Sequence, residues 1–181
     1  MSLAMLLRIS AWIDRITATI GNSIRWLMFG AILIAAYNAL ARYIGRSVGF
    51  NLSSNFLIEI QWVLFSFVFL FGAANGLRRR VHVQVDLFSS RLSESLRTRI
   101  DLWGGILLLI PFSIVIIVLT LPSVVNSWMV LEGSPDPGGI PRYPIKTAVP
   151  MAFLLLFAQG VSEIIKAVHT LKRIEGGAGV S

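Results

Sequence analysis

His82 and His169 are the only imidazoles in the chain, so a haem or metal held by histidine would have to use them. Both fall at the ends of apolar runs, whereas the axial pair of a membrane cytochrome sits at matching depths inside its helices. No cysteine is present, which excludes disulfides, a thiol nucleophile and cysteine-ligated zinc or iron–sulfur sites. Nor is there an HExxH pair, a glycine-rich phosphate loop after a strand, or a nucleophile elbow. Enzymatic chemistry and a resident cofactor or metal are therefore not expected. One redox reading stays open as an alternative: a membrane anchor holding haem through His82 or His169.

Acids and bases could instead move an ion. Arg42, Glu59 and Glu163 are the main ionisable groups near lipid depth, and all lie towards the ends of apolar runs. A coupling-ion relay would leave acids nearer the middle, and a self-sufficient transporter would show repeated halves. Neither pattern is present, which weighs against a small independent channel or exporter. Arg42 and Glu59 fall at similar depth. They pair within the chain or through a neighbouring subunit, or each reaches separately for the headgroups. Asn38, Gln61, Asn75 and Gln159 are polar groups of the kind that join helices in lipid.

The stretch "GLRRRVHVQVDLFSSRL" (76–92) carries Arg78, Arg79, Arg80, His82 and Asp86 directly after an apolar run. A basic patch against lipid reads as a stop and a phospholipid-headgroup contact, and a nucleic-acid role is not expected. Asp86 is a candidate N-cap for a short helix along the inner surface, with Leu87, Leu92 and Leu96 near one face.

The elements that position these groups follow from composition. A hydrophobic share of 55%, a charged share of 14% and a mean hydropathy of +0.76 are too apolar for a water-soluble domain of 181 residues. A membrane helix needs about 20 apolar residues. Four stretches qualify, at about 26–44, 57–77, 102–130 and 145–168. The expected fold is all-α and integral to the membrane, a single domain over 1–181 with four transmembrane helices. The third stretch would be about 43 Å long at 1.5 Å per residue, and Pro111 or Pro122 could bend it.

Residues 1–22 differ. Leu6, Ile9, Ile13, Ile16 and Ile20 recur at helical spacing, but Arg8, Ser10, Asp14, Arg15 and Thr17 interrupt them. This predicts an amphipathic helix lying in the interface, retained rather than cleaved as a signal peptide. Twelve of the 16 lysines and arginines fall on one set of alternate connections. That predicts both termini and the arginine-rich loop inside, with 45–56 and 131–144 outside. Trp26 and Trp103 at inner boundaries and Trp62 and Trp128 at outer ones agree.

In this order on four spans, "ARYIGRSVGFN…EIQWVLFSFVFLFGAANGLRRRVHVQVDLF" resembles the small membrane subunit of tripartite ATP-independent periplasmic (TRAP) transporters. The matching features are Arg42 closing span one, Glu59 opening span two, the small residues Gly72 to Ala74, and the segment His82 to Asp86. "EGSPDPGGIPRYPIKTAVPMAFLLLFAQGVSEIIK" is similar to that family's outer loop and last span. The resemblance implies a non-catalytic accessory subunit in the bacterial inner membrane. It would brace the static scaffold of a large membrane subunit in a sodium-coupled importer of organic acids fed by a periplasmic substrate-binding protein. The "SPDPGG" loop looks most like the branch associated with monocarboxylates, 2-oxoacids or aromatic acids. Glu132, Ser134, Asp136 and Arg142 in that loop either dock the binding protein or cap a tight turn between spans three and four.

Overall fold

The computed structural model describes residues 3–49, 54–79 and 93–177. Arg80, His82, Asp86 and most of the loop around them lie outside that set. Every regular element among the described residues is helical, and four helical rods are long and apolar enough to cross a membrane.

Helix α1 (Leu3–Val48) is one unbroken rod of 46 residues, about 69 Å long. The expected separate N-terminal helix is corrected: residues 3–22 form the first half of α1. No proline interrupts the stretch, and the Thr19 and Ser23 hydroxyls return to the carbonyls of Arg15 and Thr19 within the helix. Of the residues expected to interrupt an interfacial helix, Ser10, Asp14 and Thr17 are turned inward, while Arg8 and Arg15 stay exposed. Ser10, Thr17, Ile24, Ala31 and Asn38, at every seventh position, are buried. A repeat of seven drives left-handed supercoiled packing. Ile9 and Trp12 stay exposed, as lipid-facing side chains would.

Helix α2 (Asn55–Arg79) runs back beside α1. Helix α3 (Glu94–Gly104) starts at an N-cap, with the Ser93 hydroxyl accepting the Leu96 N–H at 3.4 Å. It passes through a single π turn, Gly105–Leu109, into α4 (Ile110–Met129). The expected separate short helix is thus, from Glu94 onward, the first turns of the third rod. Its continuity has a local cause. Pro111 lacks an N–H and would clash with the carbonyl one turn back, and the wider turn just before it gives room.

Helix α5 (Tyr143–Gly177) is central: α1 and α2 pack on it and on each other, while α4 packs mainly on α5. Little of what is buried is large and apolar. Ala31, Ala41, Ala74, Ala148, Ala152 and Ala167 share the interior with Ser10, Thr17, Asn38, Ser113, Ser127, Gln159 and Ser162. Lipid is as apolar as leucine, so helices in it gain from close backbone approach and shared hydrogen bonds, and large apolar groups face outward.

Gly21 is the tightest such approach between α1 and α2. A Cβ there would run into the Asn75 side chain, which is itself held by Arg78 Nη2 at 3.1 Å. Gly21→Ala should therefore lower stability by about 1–3 kcal/mol. Gly30→Ala, where a Cβ meets open space, should be neutral or slightly stabilising. Thermal melts of the two variants side by side check the difference.

Candidate functional site

Two polar assemblies lie at opposite ends of the bundle. The first is at the end where α4 hands over to α5. Helix α4 closes with the Glu132 N–H reaching the Ser127 carbonyl at 2.9 Å, which places Leu131 at φ 45°. That left-handed position usually favours glycine, and here the helix-closing bond holds a leucine in it. The Arg142 N–H then donates to the Glu132 carbonyl at 2.8 Å and ties the base of the loop. The Glu132 carboxylate accepts from the Ser127 hydroxyl at 2.6 Å and pairs with Lys146. Trp128 Nε1 donates to Thr147 Oγ1 at 2.8 Å, and its ring lies 4.5 Å from that of Tyr143. The two helix ends are stapled together.

The tip of the loop folds onto α2. Glu59 is 3% exposed, and its carboxylate accepts from the Ser134 hydroxyl and from the Ile140 N–H. Asn55 Nδ2 reaches the Pro137 carbonyl at 3.4 Å. Gly139 must be glycine, because a Cβ would strike Ser134 and Glu59 together. Gly138 supplies the turn at φ 73°. The pairing of Arg42 with Glu59 within the chain is corrected: among the described residues no ion pair joins them, and Arg42 is exposed. The reason is that the loop brings Glu59 two donors, while the Arg142 guanidinium supplies the neighbouring positive charge. Of the four loop residues singled out by sequence, Glu132 and Ser134 are turned into the loop's own framework. Arg142 is half-buried, and Asp136 faces outward.

The hydrogen bonds from Lys146 and Ser127 hold the Glu132 carboxyl below the usual carboxylate range. A carboxyl depressed by folding adds stability above its unfolded value of about 4.5 and loses it as pH falls through the lower folded value. The loop base should accordingly loosen only under acid conditions below about pH 4.5. Hydrogen exchange at the Arg142 amide across that range measures it, and Glu132→Gln should remove the dependence.

The second assembly is a seam between α1 and α5 near the chain termini. Asp14 accepts from Gln159 Nε2 at 2.8 Å, Ser162 Oγ at 2.9 Å and Lys166 Nζ at 3.0 Å. Glu163 accepts from Gln159 Nε2 at 3.0 Å and from Lys166 at 2.5 Å. Ser10 and Ser162 meet hydroxyl to hydroxyl at 2.7 Å. Two acids, one ammonium, an amide and two hydroxyls thus fix one rotational setting of α1 on α5. Sequence reasoning marked Gln159 and Glu163 but did not bring them together with Asp14, Ser162 and Lys166. The available signal was the alternation of Ser10, Asp14 and Thr17 with Ser162, Glu163 and Lys166 at helical spacing on two different helices.

Of the other polar residues singled out, Asn38 is buried and engaged, Gln61 is half-buried, and Asn75 accepts from Arg78. Arg79 is exposed at the end of α2, and His169 is half-buried in the last turns of α5. Among the described residues no three metal-ligating side chains converge.

Residues 31–170 match the family described as tripartite ATP-independent periplasmic transporters, DctQ component. The chain belongs to that family. The match takes in α1 from residue 31 onward, α2 to α4 and α5 as far as residue 170, including Glu59, the loop that covers it and Gln159, while Asp14 and the first part of α1 precede it. No curated protein and no solved structure matches the chain. DctQ is a transporter component and not an enzyme family, so the protein is the small membrane subunit of a TRAP transporter.

Proposed function

We propose that the protein braces the static scaffold of the large membrane subunit in a sodium-coupled importer of organic acids. A periplasmic binding protein would deliver the substrate. The observation that carries this reading is where the polar groups are spent. The seam of Asp14, Gln159, Ser162, Glu163 and Lys166 binds α1 to α5, and Glu59 binds the loop to α2. Both assemblies immobilise parts of this chain against one another. The outward faces of α2 and α4 are left apolar, suited to lipid and to the helices of a larger partner.

In this reading the chain sits in the inner membrane with both termini cytoplasmic. Arg78, Arg79 and Arg80 contact anionic phospholipid there. The loop tip, with Asp136 exposed, faces the periplasm and meets the binding protein.

Co-purification from native membranes in mild detergent tests the assignment. A much larger multi-span protein should accompany the chain in near-equal amount, and vesicles holding both should accumulate an organic acid only when sodium and the binding protein are supplied. Recovery of the chain alone, or uptake by vesicles containing only this chain, would overturn the accessory role. Reporter tags placing the two termini on opposite faces would overturn the topology.

A further inference from the structure

We infer that a water molecule is held in the α1–α5 seam, between Thr17 Oγ1 and Gln159 Oε1. Both residues are entirely buried, and neither of these oxygens has a hydrogen-bond partner within the protein. Buried polar atoms are paired almost without exception, and leaving one unpaired is costly in a low-dielectric interior.

The amide cannot relieve this by turning over. Its Nε2 already donates to Asp14 at 2.8 Å and to Glu163 at 3.0 Å. A flip would set Oε1 against two carboxylates. Oε1 is therefore committed to the side away from the acids. Thr17 is equally informative by contrast. Thr19, Ser66, Thr98, Ser113 and Thr147 each return their hydroxyl to the carbonyl four residues back. That local bond is the usual refuge of a helical hydroxyl in an apolar setting. Thr17 forgoes it.

The register brings the two residues to one level of the seam. Helices α1 and α5 are antiparallel, with Ser10 against Ser162 and Asp14 against Gln159 and Ser162. Thr17, one turn beyond Asp14 on the same buried face, falls beside the turn of α5 that holds Gln159. A water there donates to Gln159 Oε1 and bonds the Thr17 hydroxyl, completing a polar chain from Ser10 to Thr17. A polar pocket with two or more unsatisfied groups is where buried water resides.

Thermal melts of the full subunit with its co-purified partner in nanodiscs test this, using Thr17→Val and Thr17→Ser. With the water present, valine removes one of its bonds, and Tm should fall by about 3 °C while serine keeps the wild-type value. If the seam is dry, valine removes an unpaired hydroxyl at nearly constant volume, and a Tm that holds or rises overturns the proposal. A map of the intact complex good enough to show ordered water should carry a peak within hydrogen-bond distance of both oxygens; an empty seam, or the two oxygens bonded directly, overturns it. Replacing sodium by choline at constant ionic strength should leave Tm unchanged. A sodium-dependent shift that Thr17→Val abolishes would assign the site to a cation and not to water.

Discussion

Replacing Lys166 with methionine should destabilise the subunit by about 2–3 kcal/mol, whereas breaking the exposed Arg99–Glu175 pair at the same end of the bundle should change almost nothing. Lys166 holds two carboxylates at once, Asp14 at 3.0 Å and Glu163 at 2.5 Å. Methionine keeps the apolar stem and removes the ammonium, so two acids then share the single Gln159 amide. Removing one partner from a buried charge group typically costs about 3–5 kcal/mol. The three side chains here are 20–33% exposed, so solvent screens part of that. For a chain of this size the loss corresponds to a fall in Tm of roughly 5–10 °C. Arg99–Glu175, at 3.1 Å but more than half exposed on both sides, is the comparator. Arg99→Ala should move stability by less than about 0.5 kcal/mol. Adding Asp14→Asn to Lys166→Met should restore most of the loss, because asparagine's oxygen still accepts from Ser162 and Gln159 while the like-charge contact disappears. Equal, small effects of Lys166→Met and Arg99→Ala would mean that the seam does not hold α1 on α5.

The same seam shows what the amino-acid order reveals and what it hides. The four long rods follow from run length alone, because an apolar stretch of about 20 residues has few alternatives to a membrane helix. The family resemblance followed from polar landmarks in order along those runs. The role of residues 3–22 did not follow. Periodicity shows that Leu6, Ile9, Ile13, Ile16 and Ile20 share a stripe beside that of Ser10, Asp14 and Thr17, but it says nothing about which solvent each stripe meets. Against water the polar stripe would face out, whereas against α5 it faces in. Partners more than 140 residues away in sequence decide which holds. Glu59 shows the same limit. Depth alone pointed to Arg42, but a loop closing some 75 residues later delivers a hydroxyl and a backbone N–H to the carboxylate. Depth is one coordinate of a position, and pairing needs the other two.

Glu59→Leu should free the tip of the loop and leave its base intact. The substitution deletes the acceptor for both Ser134 and Ile140, and leucine at that buried position carries no charge to be solvated. Ser134 keeps the Asp136 N–H at 3.1 Å, but the Ile140 N–H has nowhere to go except water. Hydrogen bonds to a charged acceptor contribute about 1.5–3 kcal/mol each, so losing its own bond should raise exchange of the Ile140 amide roughly 10- to 150-fold. The base, tied by Arg142 N–H to the Glu132 carbonyl and by Glu132 to Lys146, should exchange as before. Glu59→Gln should fall between, since one amide oxygen can still serve Ile140 while Ser134 turns to accept from the amide NH2. The absence of cysteine offers a second readout: Asp136→Cys can be labelled alone with a spin probe, whose mobility should rise in the leucine variant. Unchanged exchange at Ile140 would show that Glu59 does not hold the loop. The functional consequence separates the two readings of this loop. If the tip receives the binding protein, Glu59→Leu should cut uptake while the large subunit still co-purifies in full amount, because a loosened tip must be ordered again at each encounter. If the loop only caps the turn between α4 and α5, uptake should match the wild type despite the faster exchange.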